Sequence, residues 1–150
     1  MTLIVREAEE RDVDTIYELI LALSSHENSR EYVVTNTNIL KEQGFGKNKM
    51  FGALLAEYNE NTAGYLTYVW NYSTWQGGCY MYLENIFVLE QYRGIGIGSA
   101  LMQEAKVVCN YNDRLHMKWE VQLDNEKAIE FYKKQGATVS FRGIGSCKVK

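Results

Sequence analysis

The chain has 150 residues, of which 46% are hydrophobic and 23% are charged, and its formal net charge is −3. This length and composition predict one globular domain over residues 1–150, with enough apolar side chains for a core. The small acidic excess argues against nucleic acid as a partner, since proteins that bind phosphates along a strand usually carry an excess of lysine and arginine. The N-terminus turns acidic within a few residues and no apolar run could span a bilayer, so we expect a cytoplasmic protein with no membrane partner.

The first third of the chain predicts one strand and two helices. Residues 3–6 alternate apolar and polar side chains, which is typical of a strand. Apolar residues at helical spacing then predict a helix of about four turns that ends between residues 24 and 28. Residues 37–43 form a weaker helical segment, closed by Gly44.

From residue 51 the hydrophobic period changes to two, which predicts strands. Residues 54–56 and 63–70 flank a turn at residues 59–61 and together predict an antiparallel hairpin. Residues 79–89 form the next strand, and its nearly continuous apolar run from Leu83 to Leu89 is typical of a strand buried on both faces.

Three glycines follow that strand at every second position, Gly94, Gly96 and Gly98, and apolar residues at helical spacing follow them. The first amides of a helix have no partner within it, and glycine lets a phosphate approach the backbone closely. The turn is therefore a candidate site for a phosphorylated cofactor.

The remaining chain predicts a strand at residues 115–121, a helix capped by Asp124 or Asn125 and ended by Gly136, and a last strand at residues 138–149. The element order β-α-α-β-β-β-α-β-α-β predicts an α/β fold with a mixed sheet and helices on its faces. Three cysteines, odd in number and without paired spacing, predict reduced thiols and no metal site.

Two other glycine-rich sites fit this turn poorly. A dinucleotide-binding turn has the spacing G-x-G-x-x-G and usually opens its domain, whereas this turn reads G-x-G-x-G and lies late in the chain. A P-loop needs lysine and then serine or threonine after its last glycine, and this chain has Gly98-Ser99-Ala100. A flexible turn without a ligand is the remaining alternative.

Two segments resemble the cofactor motifs of the GCN5-related N-acetyltransferases. One reads Gln91-Tyr92-Arg93-Gly94-Ile95-Gly96, and the other is Asn125-x-x-Ala128-x-x-x-Tyr132 followed by Gly136. Four further segments resemble the diamine (spermidine/spermine) and thialysine acetyltransferases of that family: Glu42-x-Gly44-Phe45-Gly46, Tyr72-x-x-Trp75, Tyr82-Leu83-Glu84 and Tyr92-Arg93-Gly94-x-Gly96-Ile97-Gly98-Ser99. The resemblance implies a mostly antiparallel sheet of six or seven strands with about four helices.

The resemblance also implies direct acetyl transfer from acetyl-CoA, as cosubstrate, to a primary amine. It assigns the pyrophosphate to the amides of Arg93, Gly94, Ile95, Gly96, Ile97, Gly98 and Ser99, with the Arg93 guanidinium available to add charge. It assigns the pantetheine arm to the backbone of Ile86, Phe87 and Val88, which would pair with it as with an added strand. Asn125, Glu126, Lys127 and Ala128 would flank the arm on its other side.

Two residues are the implied catalytic groups. Glu84 would accept the ammonium proton or anchor a water that relays it. Its neighbours Leu83 and Ile86 predict that it is buried, and the alternative is a strand glutamate exposed to solvent. Tyr132 matches the family's general acid for the leaving thiolate.

The implied amine site contains His26, Glu27, Ser73, Trp75, Glu84 and Asn85. Ser73 and Asn85 stand where the resembling polyamine enzymes carry aspartates, and Arg142 falls near a further acidic position. Because a long polycation needs several carboxylates, the sequence favours a small diamine or a thialysine-like amino acid over spermine. Two alternatives are acetylation of protein amines and a non-catalytic acetyl-CoA-binding module. The subgroup implies a homodimer.

Overall fold

The computed structural model describes residues 1–150, which divide into two compact units, residues 1–119 and residues 120–150. The first unit contains β1 (Leu3–Glu7), α1 (Val13–His26), α2 (Thr37–Phe45), β2 (Gly52–Tyr58), β3 (Asn61–Ser73), β4 (Gly78–Val88), α3 (Ile97–Tyr111) and β5 (Met117–Lys118). Short 3₁₀ turns lie at Glu10–Asp12, Arg30–Tyr32 and Glu90–Tyr92. The second unit contains α4 (Glu126–Lys134).

The α/β fold and the four helices are confirmed, but the sheet has five strands instead of six or seven. Its order is β1-β2-β3-β4-β5, with antiparallel pairs up to β4 and a parallel pair between β4 and β5. The strand predicted at residues 115–121 is reduced to the two residues of β5. The strand predicted at residues 138–149 is wrong, because Gly143 and Gly145 interrupt the pattern and residues 141–150 are all exposed.

Helices cover both faces of the sheet in the first unit. On one face α1 and α2 pack over a core cluster that contains Val13, Ile16, Leu19, Leu40, Ala53, Leu55, Tyr65 and Phe87. On the other face α3 lies against β1 to β4, and the Cys109 sulfur is 3.8 Å from that of Met81. Successive strand residues point to opposite faces of the sheet. Leu54 and Leu66 therefore point toward α3, whereas Leu55 and Tyr65 point toward α1 and α2.

An ion network ties the start of the sheet to the first turn of helix. The Arg6 guanidinium donates to both carboxylate oxygens of Asp12, at 2.7 and 3.0 Å, and to Glu57 at 2.6 Å. Asp12 also accepts from the Glu9 amide at 2.7 Å. The Arg6 hydrogen bond, more than any other contact, lowers the pKa of the Asp12 carboxyl.

A β-bulge at Glu84 divides β4 into two halves. Thr67 of β3 faces Asn85 and the next residue, Tyr68, faces Leu83, so Glu84 has no partner in β3. The extra residue reverses the alternation along β4. Met81 and Leu83 therefore serve the α3 face, whereas Phe87 joins the cluster under α1.

In the second unit, both ends of α4 are capped by the predicted residues, Asn125 at the start and Gly136 at the end. The Asn125 side chain accepts from the Ala128 amide at 3.1 Å and so caps the N-terminus. Gly136 has φ +88°, and the amides of Gly136 and Ala137 donate to the carbonyls of Lys133 and Tyr132. This is a Schellman C-cap, as the glycine predicts. None of the helices in either unit has the length and apolar character needed to cross a membrane.

Candidate active site

The glycine turn connects β4 to α3 in a left-handed conformation. Gly94 and Gly96 have φ values of +77° and +89°, which side chains disfavour, and a Cβ added at either would meet no atom within 4 Å. Gly96 is the N-cap of the fifteen-residue helix α3, and no side chain caps the helix there. The turn therefore presents backbone amides and open space at a helix N-terminus, the combination that suits a phosphate.

The guanidinium of Arg93 turns back along β4. Its Nε donates to the Val88 carbonyl at 2.9 Å, and its central carbon is 5.5 Å from the centre of the Phe87 ring. These contacts fix the end of β4 to the start of the turn. They differ from the expectation that the guanidinium adds charge at the pyrophosphate, because the strand carbonyl and the aromatic face already engage it.

The second half of β4 is paired by a strand on one edge only. Ile86, Phe87 and Val88 pair with Leu66, Tyr65 and Gly64 of β3, whereas β5 pairs only with Met81 and Tyr82. The Phe87 carbonyl points toward β3, since a Cβ added at Gly64 would lie 2.6 Å from it. By alternation, the polar groups of Ile86 and Val88 point to the opposite edge. Arg93 occupies the Val88 carbonyl there, so the Ile86 amide and carbonyl and the Val88 amide are the groups with which an extended ligand could pair.

The C-terminal end of α1 lies at the same half of β4. The His26 ring is centred 5.8 Å from that of Phe87, and Glu27 follows as the C-cap of α1. Across the bulge, the Asn85 amide donates to the Thr67 hydroxyl at 3.2 Å. Burial of Tyr65 raises the pKa of its hydroxyl, and the charges of Glu84 and Glu27 raise it further. Glu27 and Glu84, both predicted to bind the substrate, thus raise the pKa of the same buried hydroxyl.

The predicted burial of Glu84 is wrong, because its side chain is exposed. Leu83 is buried and Ile86 is half-buried, as expected, but the bulge turns Glu84 away from the alternation that those neighbours suggest. An exposed carboxylate can exchange protons with solvent directly or through one water.

Ser73 and Trp75 lie at the far end of the β3–β4 hairpin. Ser73 is six residues beyond Thr67, about 20 Å along an extended strand, and its hydroxyl accepts from the Gln76 amide at 3.2 Å. Trp75 is 97% exposed. Within the first unit, these two residues do not join His26, Glu27, Glu84 and Asn85.

The second unit carries the remaining predicted residues. Tyr132 is buried on α4, and burial raises the pKa of its hydroxyl. Asn125, Glu126 and Lys127 are exposed and Ala128 is half-buried at the start of the same helix. Arg142 lies in the exposed C-terminal segment.

No pattern in the sequence identifies Tyr65 as a residue of the candidate site. Its place in an apolar strand predicts a core residue, which is correct. The local pattern carries no sign that the charges of Glu27 and Glu84 affect its hydroxyl, because those carboxylates come from the end of α1 and from the β4 bulge.

The comparisons with known proteins identify the family of the chain. The model of the Acetyltransferase (GNAT) family matches residues 7–137, and the chain belongs to this family. It is an N-acetyltransferase of the GNAT type. Thialysine N-epsilon-acetyltransferase from pig (Sus scrofa) is 33% identical over 144 residues, covering 91% of this chain and 84% of that protein.

A longer human relative and a solved structure extend the likeness. Spermidine/spermine N(1)-acetyltransferase-like protein 1 from Homo sapiens is 30% identical over 140 residues, which are 89% of this chain and 20% of that protein. An aminoglycoside acetyltransferase from an uncultured soil metagenomic sample superposes with a TM-score of 0.85 at 18% identity, covering 99% of both chains. At that identity the superposition shows the shared fold alone.

Proposed function

We propose that this protein transfers the acetyl group of acetyl-CoA directly to a primary amine of a small molecule. The observation that carries the proposal is the continuity of one strand. β4 bears the bulged Glu84, then the backbone edge of Ile86 and Val88, and then the glycine turn at α3. Along this strand, the site for the amine comes first, the backbone edge for an extended ligand second and the phosphate site third. Acetyl-CoA carries its acyl group, its arm and its pyrophosphate in the same order.

The backbone of the glycine turn would hold the pyrophosphate. Gly94 and Gly96 leave room for phosphate oxygens, and the first amides of α3 point out of the helix N-terminus. In the second unit, the first turn of α4 from Asn125 to Ala128 would contact the arm. When bound, acetyl-CoA supplies the acetyl group, which leaves sulfur and becomes bonded to the amine nitrogen.

Glu84 would remove the proton that the ammonium group must lose. Deprotonating an alkylammonium with a pKa of about 10.4 into water at pH 7 costs about 5 kcal/mol. Because Glu84 is exposed, we propose that it orders a water and passes the proton to solvent. Replacing Glu84 by Gln would then lower kcat, whereas Glu90→Gln, a matched change of another exposed glutamate just beyond β4, would not.

Tyr132 would stabilise the departing thiolate. Thiols have a reference pKa near 8.5 and tyrosine one near 10, and burial raises the pKa of Tyr132 further. Full proton transfer from Tyr132 to the thiolate is therefore uphill. The buried Tyr132 hydroxyl would instead stabilise the developing thiolate by donating a hydrogen bond to it.

The carboxylates favour a short amine as substrate. Glu27 and Glu84 both act on the Tyr65 hydroxyl, so they can hold a single ammonium group. Ser73, Asn85 and Arg142 offer no further negative charge for a long polycation. Similarity to thialysine N-epsilon-acetyltransferases supports a thialysine-like amino acid or a small diamine.

An amine panel tests the substrate class. CoA release would be followed with a thiol reagent in the presence of thialysine, lysine, putrescine, spermidine, spermine and an unblocked peptide. We expect the highest kcat/KM with thialysine or putrescine. A preference for spermine contradicts the short-amine assignment, a preference for the peptide favours protein acetylation, and no release with any amine favours a non-catalytic acetyl-CoA-binding module.

We further propose that residues 1–150 form a single catalytic domain that acts as a cytoplasmic homodimer. The family match over residues 7–137 spans both units and supports one domain. Apolar side chains exposed on α2 and in the C-terminal segment, among them Ile39, Phe141 and Ile144, would suit a symmetric interface. Light scattering of the purified protein would give the mass of a monomer if the dimer proposal is wrong.

A further inference from the structure

The hydroxyl of Tyr65 is buried without a partner. Tyr65 lies in the middle of β3, between Leu55 of β2 and Phe87 of β4, and its side chain has no exposed surface. Its hydroxyl oxygen is the only buried side-chain nitrogen or oxygen in the chain that lacks a hydrogen-bond partner. Native proteins pair nearly all such groups, so this exception calls for an explanation.

Stability does not explain the hydroxyl. An unpaired buried hydroxyl destabilises the folded state, because it gives up its hydrogen bonds to water and gains none. Phenylalanine would fill almost the same space among Val13, Ile16 and Leu55 without that loss. The Tyr65 hydroxyl therefore does not stabilise the core. We infer that it hydrogen-bonds a ligand that the free chain does not contain.

The surroundings of the hydroxyl indicate what that use is. Tyr65 shares its sheet face with Asn85 and Phe87, beyond the bulge, and α1 ends above that face with His26 packed on Phe87. The charges of Glu84 and Glu27 both reach the hydroxyl and oppose its ionisation, as does its burial. The group thus stays a neutral O–H, able to donate one hydrogen bond and accept another.

We propose that Tyr65 is a positioning residue for the amine: when the ammonium group binds between Glu27 and Glu84, the Tyr65 oxygen accepts one of its N–H groups. This inference rests on the proposed function. An ammonium group has three N–H donors, and two carboxylates plus one hydroxyl give it three acceptors. Because the third acceptor is neutral, it orients the nitrogen without adding charge that would make the ammonium harder to deprotonate.

The matched variants are Tyr65→Phe and Tyr68→Phe. Tyr68 lies on the same strand and is 5% exposed, but it pairs with Leu83 on the other face of the sheet. Burial, with smaller effects from Glu7 and Cys109, raises its pKa to about 12. Both variants remove one buried phenolic hydroxyl, and only the first removes it from the sheet face under α1, where the charges of Glu27 and Glu84 affect it.

Steady-state kinetics with thialysine and thermal unfolding of the free proteins test the proposal. For Tyr65→Phe we expect the KM for thialysine to rise about tenfold, the effect of one lost hydrogen bond. The KM for acetyl-CoA should stay unchanged, and Tm should equal or exceed that of the parent. Tyr68→Phe should leave both KM values within about twofold.

The possible failures are distinguishable. A parent-like KM for thialysine in Tyr65→Phe overturns the inference, whatever happens to Tm. A parent that releases no CoA refutes the proposed function instead. In that case the rise in Tm caused by thialysine alone decides about Tyr65: its loss in Tyr65→Phe but not in Tyr68→Phe supports the inference, and equal rises in all three proteins overturn it.

Discussion

Replacing Gly96 by Ala separates backbone strain from ligand binding. Gly96 has φ +89° and its added Cβ would meet no atom within 4 Å, so the change adds strain without a clash. Holding alanine in the left-handed region costs about 1 to 2 kcal/mol. For a chain of this size, that loss lowers Tm by roughly 2 to 8 °C. If the proposed pyrophosphate site is correct, the same Cβ would also obstruct a phosphate bound at the amides of α3.

The chain contains a matched control in Gly77. It has φ +67°, and an added Cβ there also meets no atom within 4 Å, but it lies in the turn between β3 and β4 and does not begin a helix. We expect Gly77→Ala to lose the same 1 to 2 kcal/mol, about the cost of one left-handed alanine, and to keep its affinity for acetyl-CoA. Gly96→Ala should bind acetyl-CoA at least about tenfold more weakly, as expected from one lost charge-assisted hydrogen bond.

Calorimetric titration with acetyl-CoA and thermal unfolding, applied to both variants, decide the matter. Unchanged affinity in Gly96→Ala would refute the pyrophosphate site at the glycine turn. An equal loss of affinity in Gly77→Ala would show that strain elsewhere in the chain weakens binding, and would remove the support that the turn geometry gives to the site.

Two further changes test other parts of the account. Tyr132→Phe should lower kcat about tenfold, the value of one hydrogen bond to a developing charge, and leave the Kd for acetyl-CoA unchanged in a titration; an unchanged kcat removes Tyr132 from the mechanism. Asp12→Asn should cost about 2 kcal/mol of unfolding free energy at pH 7 by weakening the hydrogen bonds from Arg6. Because Arg6 lowers the folded-state pKa of Asp12, this contribution is present above the unfolded pKa near 3.9 and is lost as the pH falls through the folded value. The stabilities of the parent and of Asp12→Asn should therefore begin to converge as the pH falls below about 4, and a constant difference down to pH 2 would contradict the assignment.

The helix α1, the caps of α4 and the glycine turn could be predicted from the sequence, because each depends on residues that are close together in the chain. The apolar spacing of α1 needs only the helical period, and the Asn125 cap and the Gly136 stop need only neighbouring backbone groups. The glycine turn is predictable for the same reason, since Gly94 and Gly96 adopt a conformation that few other residues tolerate.

The amine site depends on contacts between distant segments, and sequence patterns say little about those. The bulge at Glu84 follows from the register between β3 and β4, so the burial expected from Leu83 and Ile86 is wrong. The effect of Glu27 on the Tyr65 hydroxyl likewise depends on the packing of α1 over the sheet, which the local pattern of β3 does not reveal. The C-terminal strand fails for a related reason: its alternation is present, but Gly143 and Gly145 weaken it and no neighbouring strand pairs with it.

The central claim is that this chain moves an acetyl group from acetyl-CoA to a small amine in one step. Quantifying CoA and N-acetyl-thialysine together, in one reaction of the parent protein, tests it most directly. We predict that the two products form in a one-to-one ratio and that no acetylated protein accumulates when thialysine is left out. CoA release without N-acetyl-thialysine, or an acetylated protein that forms first and then consumes thialysine, would contradict the account.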